Sequence, residues 1–487
     1  MRFIFFTYLF LGATAGIAAE GSPNFVLFYT DDQGWTDTSV PMMKNLPETS
    51  STFYQTPNLE RLAEAGMRFS SAYAPAPTCT PSRISIQFGK TTARLQVTTV
   101  YDVLAKVNGI DCASERSIAH ILKEADRGYI TAHFGKGMAI RRMEDSGYDI
   151  TDEYDPGNHG NGNFHGDYVS NRDKPRRPLP ADDPKRVFSL TRRATSFIKD
   201  QVKVDRPFFL MVSHYAVHVK HGALAETIKK YKGRPREKGE SDVYAAMIEH
   251  LDDSLGAILK TLDEMGIADN TYVIFSSDNG GGHVTNAPLT GGKARMFEGG
   301  LRVPTVIRGP GVMAGAQCDV PIAQWDFLPT IHDLSGSTRP LPAHLDGGSL
   351  SDLFQRGNQG RVDRPQPFLV FHYPYYAGVP ISAIRMGDYK FMRHLNTGET
   401  RLHDVVKDIA EEHDLRTKEP EKAEQLDRLL TQYLNEVGAE TAEDMHRVRI
   451  EMLEDELQNL SPGDPKRATI KKNIEKAKAN RANQNWM

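Results

Sequence analysis

Asn24-Phe25-Val26-Leu27-Phe28-Tyr29-Thr30 is a continuous apolar run that stops abruptly at Asp31-Asp32. A strand with one wet face alternates apolar and polar residues, whereas an unbroken run fits a strand covered on both faces, as in a parallel sheet. Tyr272-Val273-Ile274-Phe275 repeats the pattern before Ser276-Ser277-Asp278-Asn279, and Tyr129-Ile130-Thr131-Ala132 and Phe208-Phe209-Leu210-Met211-Val212 are shorter runs of the same kind. Helical patterns lie between them. Thr56-Pro57 opens one that ends at Gly66; others cover Ser117 to Ala125 and Ser189 to Gln201. Val243, Met247, Leu251, Leu255, Ile258, Leu262 and Met265 form a long apolar stripe. The alternation predicts an α/β fold with a large, mixed, mostly parallel sheet sandwiched by helices. Such sheets bind ligands beyond the carboxyl ends of their strands, where Asp31-Asp32 and Asp278-Asn279 fall.

The ends of the chain read differently. Met1-Arg2 followed by a short apolar run and the small residues Gly16-Ile17-Ala18-Ala19 predicts a signal peptide over residues 1–19. The run is too short for a membrane span, so a periplasmic or secreted protein with no stable membrane insertion is expected. Residues 20–345 hold the α/β pattern. Over 346–440, Phe368–Phe371, Ile381–Met386, Tyr389–Met392 and Arg401–His403 predict a smaller subdomain. This is a short antiparallel sheet closed by a helix near Glu419 to Leu434. Residues 441–487 are charged, poor in apolar residues and broken at Ser461-Pro462-Gly463-Asp464-Pro465, which predicts one or two surface helices or a partly disordered tail. The net charge of −4 leaves no electrostatic case for nucleic acid.

Chemistry concentrates at Cys79-Thr80-Pro81-Ser82-Arg83. Pro81 suits a first helical turn, which puts Cys79 at a helix N-terminus, where backbone N–H groups favour an anion, with Arg83 one turn on. A cysteine in a Pro-rich loop is more often simply a small buried residue, so the motif draws weight from its company. Asp31, Asp32, Asp278 and Asn279 offer hard oxygen ligands suited to calcium or magnesium, calcium tolerating the more irregular geometry. Adjacent Asp pairs alone are usually solvated turns; two such pairs at strand tips are not. Gly291-Gly292-Lys293 is either a flexible loop or a place where backbone approaches a ligand beside an ammonium. Of the three cysteines, Cys112 and Cys318 are left to pair or stay free.

Cys-x-Pro-Ser-Arg resembles the signature of the type I formylglycine-dependent sulfatases, arylsulfatase-like members of the alkaline phosphatase superfamily. Asn286-Ala287-Pro288-Leu289-Thr290-Gly291-Gly292-Lys293 and Glu298-Gly299-Gly300-Leu301-Arg302-Val303-Pro304 are similar to that family's second signature. The resemblance implies that a formylglycine-generating maturation enzyme oxidises Cys79 to the nucleophile. That residue would join Asp31, Asp32, Asp278 and Asn279 on one calcium ion. It implies further that Arg83, Lys136 and Lys293 hold the sulfate and that His218 protonates the leaving oxygen. Two departures stand out. Val217 replaces the usual proline before the histidine, and Gly-Lys-Trp-His becomes Gly135-Lys136-Gly137-Met138, so Met138 cannot serve as the proton acceptor. His283 and His214 are the candidate replacements in the pocket, then His159.

Export and an anion site suggest a sulfated carbohydrate, of algal galactan or glycosaminoglycan type. His159, His165 and His372, with neighbouring aromatic and Asn residues, are candidate substrate-binding walls beside His214 and His283. The competing enzyme reading is a phosphate- or phosphonate-monoester hydrolase of the same superfamily. A non-catalytic sulfated-glycan-binding protein is a further alternative, with Met138 its best argument.

Overall fold

The computed structural model describes residues 21–99, 115–138, 143–152, 181–236, 239–282, 285–375 and 380–482. The expected signal peptide, Cys112, His159, His165 and His283 lie outside the described residues.

The strands in chain order are β1 (Asn24–Thr30), β2 (Met67–Phe69), β3 (Ala72–Tyr73), β4 (Ile130–Gly135), β5 (Ile150–Thr151), β6 (Phe208–Ser213) and β7 (Thr271–Ser277). They continue with β8 (Val306–Arg308), β9 (Ala316–Cys318), β10 (Ile322–Ala323), β11 (Leu369–Tyr373), β12 (Ile381–Met386), β13 (Tyr389–His394) and β14 (Thr400–Asp404). Eight of them form one sheet in the order β5-β4-β6-β1-β7-β8-β2-β9. Its pairs are parallel except where β8 meets β7 and β2. This is the mixed, mostly parallel sheet the apolar runs predict.

Residue parity on β1 assigns the two cores. Val26 and Phe28 face a core shared with Leu210, Val212, Val273, Phe275 and the stripe Leu251, Leu255, Leu259 and Leu262 of helix Asp242–Glu264. Phe25, Leu27 and Tyr29 face the other, with Met211, Ile274 and residues Ile84, Ile86 and Phe88 of helix Cys79–Phe88. Each such side chain contributes about 1.5–3 kcal/mol on burial. Parallel register brings the carboxyl ends of β4, β6, β1 and β7 to one edge: Gly135 aligns with Ser213, Tyr29 with Ser213 and Ser276, and Thr30 with Ser277.

β11 to β14 form a four-stranded antiparallel sheet. Leu426, Leu430 and Tyr433 of helix Pro420–Glu436 cover one face, while Tyr73 and Trp325 meet Phe371 and Met392 on the other. A buried ionic network also joins the two sheets. Glu298 accepts from Tyr73 Oη (2.6 Å) and Lys390 Nζ (3.0 Å) and pairs with Arg302, while Lys390 reaches Glu411 (2.9 Å). The Glu-Gly-Gly-x-Arg signature therefore docks the smaller sheet. Beyond it, helices Ala442–Asn459 and Lys466–Ala482 pack on each other, the first opened by a Thr441–Asp444 capping box. Among the described residues no helix is long and apolar enough to cross a membrane.

Candidate active site

Helix Cys79–Phe88 is buried at every residue and starts at Cys79 itself, after the extended Thr78. Arg83 stands one turn along and reaches three strand ends. Its Nε donates to Asp278 Oδ2 (2.9 Å), with Nη2 2.8 Å from the same oxygen. Nη1 donates to the Lys136 carbonyl (3.0 Å) and to Ser213 Oγ. The guanidinium also lies over the Tyr29 ring. At 2% exposure its Nε and Nη1 are engaged by protein, and Nη2 pairs with Asp278 and lies 3.8 Å from Asp31 Oδ1. Arg83 thus holds Asp278 in place.

Asp31 follows β1 directly, and its N–H donates to the Ala216 carbonyl (2.9 Å) while Val217 N–H donates back to Asp31 O (2.7 Å). These bonds carry the segment after β6 to the β1 tip and bring His218 with it. Asp32 N–H donates to Asp278 Oδ1 (3.0 Å), and Asn279 Nδ2 donates to Asp32 Oδ1 (2.8 Å). A carboxylate oxygen each from Asp31 and Asp278 and the Cys79 sulfur lie within 4.8 Å of one another.

The basic groups converge on this cluster. Gly135 turns the chain at φ 99°, where a Cβ would come 2.0 Å from the Ser213 carbonyl, and the turn delivers Lys136. Lys136 Nζ donates to Asp31 Oδ2 (2.5 Å) and Lys293 Nζ to Asp32 Oδ2 (2.7 Å). Lys293 is placed by a backbone bond to Gly281 (3.0 Å) and by Asn286, which clasps the Gly281 and Gly291 carbonyls. A Cβ on Gly292 would come 2.5 Å from the Gly281 carbonyl, so this loop needs glycine for close approach, not for flexibility.

Burial by itself would raise all three carboxylates. Lys136, with His218 and Arg83, holds Asp31 below its ordinary value, and Lys293 does the same for Asp32. Asp278 stays raised by burial and by the Asp31 charge. Asp31 Oδ1 and Asn279 Oδ1 are buried without hydrogen-bond partners among the described residues. Unclaimed hard oxygens beside three buried carboxylates fit a hard divalent cation held by Asp31, Asp32, Asp278, Asn279 and residue 79.

His218 Nδ1 lies 2.7 Å from the Val219 carbonyl, which fixes Nδ1–H as donor and leaves Nε2 facing Asp32 Oδ2 at 3.8 Å. Burial lowers its pKa, while Asp31 pulls the other way. Two other histidines are placed differently from expectation. His214 is fully buried on the opposite side of β6 from Arg83, its ring against Phe28 and Nε2 3.3 Å from Ser254 Oγ. His372 spends both ring nitrogens on Ser382 Oγ and the Glu440 carbonyl, each at 2.7 Å. His372 therefore has no ring nitrogen left for a sugar, and His214, whose Nδ1 has no hydrogen-bond partner among the described residues, is 0% exposed in the core beside Phe28. Met138 packs in the apolar core with Met143 and Tyr148. Cys318 is buried and has no disulfide partner among the described residues.

One site neighbour carries no sequence motif. Lys185, in the turn Pro184–Arg186 before helix Val187–Lys203, is fully buried with Asp31, Lys136 and Asp32 as its electrostatic surroundings. A Pro-Lys-Arg step gives no sign of this; only the packing of the helix on β4 and β6 does.

Fold and site together define an α/β protein that gathers Cys79, three buried carboxylates, two lysines and a histidine at the carboxyl ends of one sheet's strands. Residues 23–337 match the family model described as Sulfatase, and residues 292–440 match N-sulphoglucosamine sulphohydrolase, C-terminal. The chain belongs to the sulfatase family and is a sulfuric ester hydrolase. A sulfatase of Formosa agariphila is 29% identical over 82% of this chain and 86% of its own. N-acetylgalactosamine-6-sulfatase of Rattus norvegicus is 30% identical over 77% of this chain and 72% of its own. The crystal structure of Ps i-CgsB in complex with k-i-k-neocarrahexaose superposes with a TM-score of 0.70 at 24% identity, covering 85% of this chain and 93% of that one. A phosphonate monoester hydrolase of Agrobacterium radiobacter gives 0.61 at 19%, covering 85% and 96%. At these identities the structural likenesses establish the fold, not the chemistry.

Proposed function

We propose that the protein is an exported sulfatase that removes sulfate from a sulfated carbohydrate, using a formylglycine made from Cys79 by a maturation enzyme and one calcium ion. The observation that carries this reading is the position of Cys79, first residue of a buried helix and within 4.8 Å of Asp31 and Asp278 oxygens. Relatives named N-acetylgalactosamine-6-sulfatase, and structures solved with a carrahexaose or with D-glucosamine-2-N,6-O-disulfate, support the carbohydrate class.

As formylglycine, position 79 would supply an aldehyde hydrate able to attack sulfur and later release sulfate by reforming the aldehyde. Calcium on Asp31, Asp32, Asp278 and Asn279 would supply positive charge beside it. The chain's own residues do the rest. Lys136 and Lys293 are placed to exchange their carboxylate contacts for sulfate oxygens. Arg83 keeps Asp278 oriented. His218 acts as the imidazolium, its Nδ1–H held by the Val219 carbonyl while its Nε2–H passes to the departing sugar oxygen and leaves the neutral ring. Burial opposes the protonated form, and the Asp31 and Asp32 charges favour it. His159, His165 and His283 remain proposed sugar contacts.

The test is sulfate release, read by ion chromatography, from defined sulfated oligosaccharides of galactan and glycosaminoglycan type, beside an aryl sulfate and an aryl phosphate. Turnover of the aryl sulfate with none on any sulfated sugar would reject the carbohydrate reading. Preference for aryl phosphate would favour the phosphoester alternative, and no turnover at all the binding protein.

A further inference from the structure

Lys185 is out of place by ordinary rules. Its side chain is 0% exposed, and Nζ has no hydrogen-bond partner among the described residues. Lysine is almost never fully buried unless paired, because an ammonium stripped of water loses several hydrogen bonds at once. The backbone is also strained. Lys185 and Arg186 take φ of 58° and 57°, left-handed values that non-glycine residues hold only when the surroundings impose them, and such strain clusters at functional sites.

The fold explains where the side chain goes. Leu190, one turn further on, packs near Gly135, and Arg193 lies over Phe134 and pairs with Asp152, which also accepts from Gly135 N–H. The start of this helix is therefore clamped onto the end of β4, beside Lys136. The charged groups around the Lys185 ammonium are Asp31, Lys136 and Asp32, and burial draws its pKa down to about 8.

Charge balance then indicates what the ammonium awaits. Asp31, Asp32 and Asp278 are each already matched by one base, Lys136, Lys293 and Arg83 respectively. Lys185 is a surplus positive charge, and a divalent cation on the carboxylates would enlarge the surplus. What the site lacks is an anion. Met138 sharpens this, since the position where the family motif carries a histidine is apolar here.

We propose that Lys185 is a further anion-binding residue of the active site, whose ammonium contacts the sulfate group on the Asp31–Lys136 side and holds it through transfer and release. The inference rests on sulfatase chemistry at Cys79 and adds a group that none of the sequence motifs contains.

Lys185→Met and Lys185→Gln separate this role from a structural one. In calcium buffer, thermal melts with and without inorganic sulfate are compared with aryl sulfate kinetics and inhibition by inorganic sulfate. For Lys185→Met, replacing an unpaired buried ammonium with an apolar chain of similar length is expected to raise the melting temperature without sulfate. Both variants should weaken sulfate inhibition about tenfold or more and lower kcat/KM by about ten- to a hundredfold. Unchanged kinetics and inhibition would overturn the proposal. So would a lower melting temperature or poor folding in both variants, which is the mark of a structural lysine. Absence of sulfate binding and turnover in the wild type would reject the sulfatase chemistry on which the proposal rests.

Discussion

Lys136 Nζ stands 2.5 Å from Asp31 Oδ2, so the ammonium assigned to sulfate rests on a carboxylate assigned to the cation. Lys293 and Asp32 repeat the arrangement at 2.7 Å. On the proposed function, cation and sulfate binding would be coupled: a divalent ion on the carboxylates would weaken their hold on both lysines and leave them to sulfate. Inorganic sulfate is expected to raise the melting temperature when calcium is present and far less after exhaustive chelation. Equal sulfate shifts with and without calcium would show that the two sites are independent.

His218 is expected to matter most when the leaving group is poor. His218→Ala should lower kcat by about 10²–10⁴-fold on a sugar sulfate, where the departing alkoxide needs a proton, and much less on a nitrophenyl sulfate. Equal losses on both substrates would make His218 a binding residue, not a proton donor.

Acid sensitivity follows from three interior imidazoles. Burial pushes His133 and His214 down to about 3 and His372 to about 4, from an ordinary 6.5. Each stays neutral in the folded protein but takes up a proton near pH 6.5 once unfolded. Their contribution is therefore complete above pH 6.5 and is lost as pH falls toward 3, at up to about 1.4 kcal/mol per pH unit for each. Denaturant melts of the calcium-free protein between pH 7 and pH 4.5 should show a steep fall in stability. The triple variant with Gln at the three positions should show a shallower one; identical slopes would refute the assignment.

The network between the two sheets gives a mutational test that leaves the site untouched. Lys390 is fully buried between Glu298 and Glu411. Burial, with the Glu298 charge, raises Glu411 to about 7 even beside Lys390. Lys390→Met should cost about 3–5 kcal/mol, because it strands buried carboxylates. Restoring much of that loss with Glu298→Gln on top would identify the charges, not the packing, as the cause, and a strictly additive double variant would argue the reverse.

What was legible in the sequence is what local physics dictates. The β1 run and its Asp31-Asp32 ending announce a doubly covered strand with ligands at its tip, because parallel strands leave no polar face until they end. Cys79, Pro81 and Arg83 announce a helix start, and the structure begins the helix there. The misreadings share one origin, tertiary cover. His372 looks like a pocket residue beside aromatic neighbours, until the Glu440 carbonyl arrives and takes its second nitrogen. Glu298 and Arg302 sit in a signature next to Lys293 yet point toward the smaller sheet. Lys185 depends on a helix being clamped to a strand that lies more than fifty residues earlier in sequence, by Arg193 on Phe134 among other contacts. No short-range pattern encodes that.

The most direct measurement is the mass of the peptide carrying residue 79, taken from enzyme co-produced with a maturation enzyme and assayed for turnover in parallel. Activity should track the fraction of Cys79 converted from thiol to aldehyde, with Cys79→Ala inactive yet still folded. A fully active preparation in which Cys79 is entirely unmodified would contradict the account at its centre.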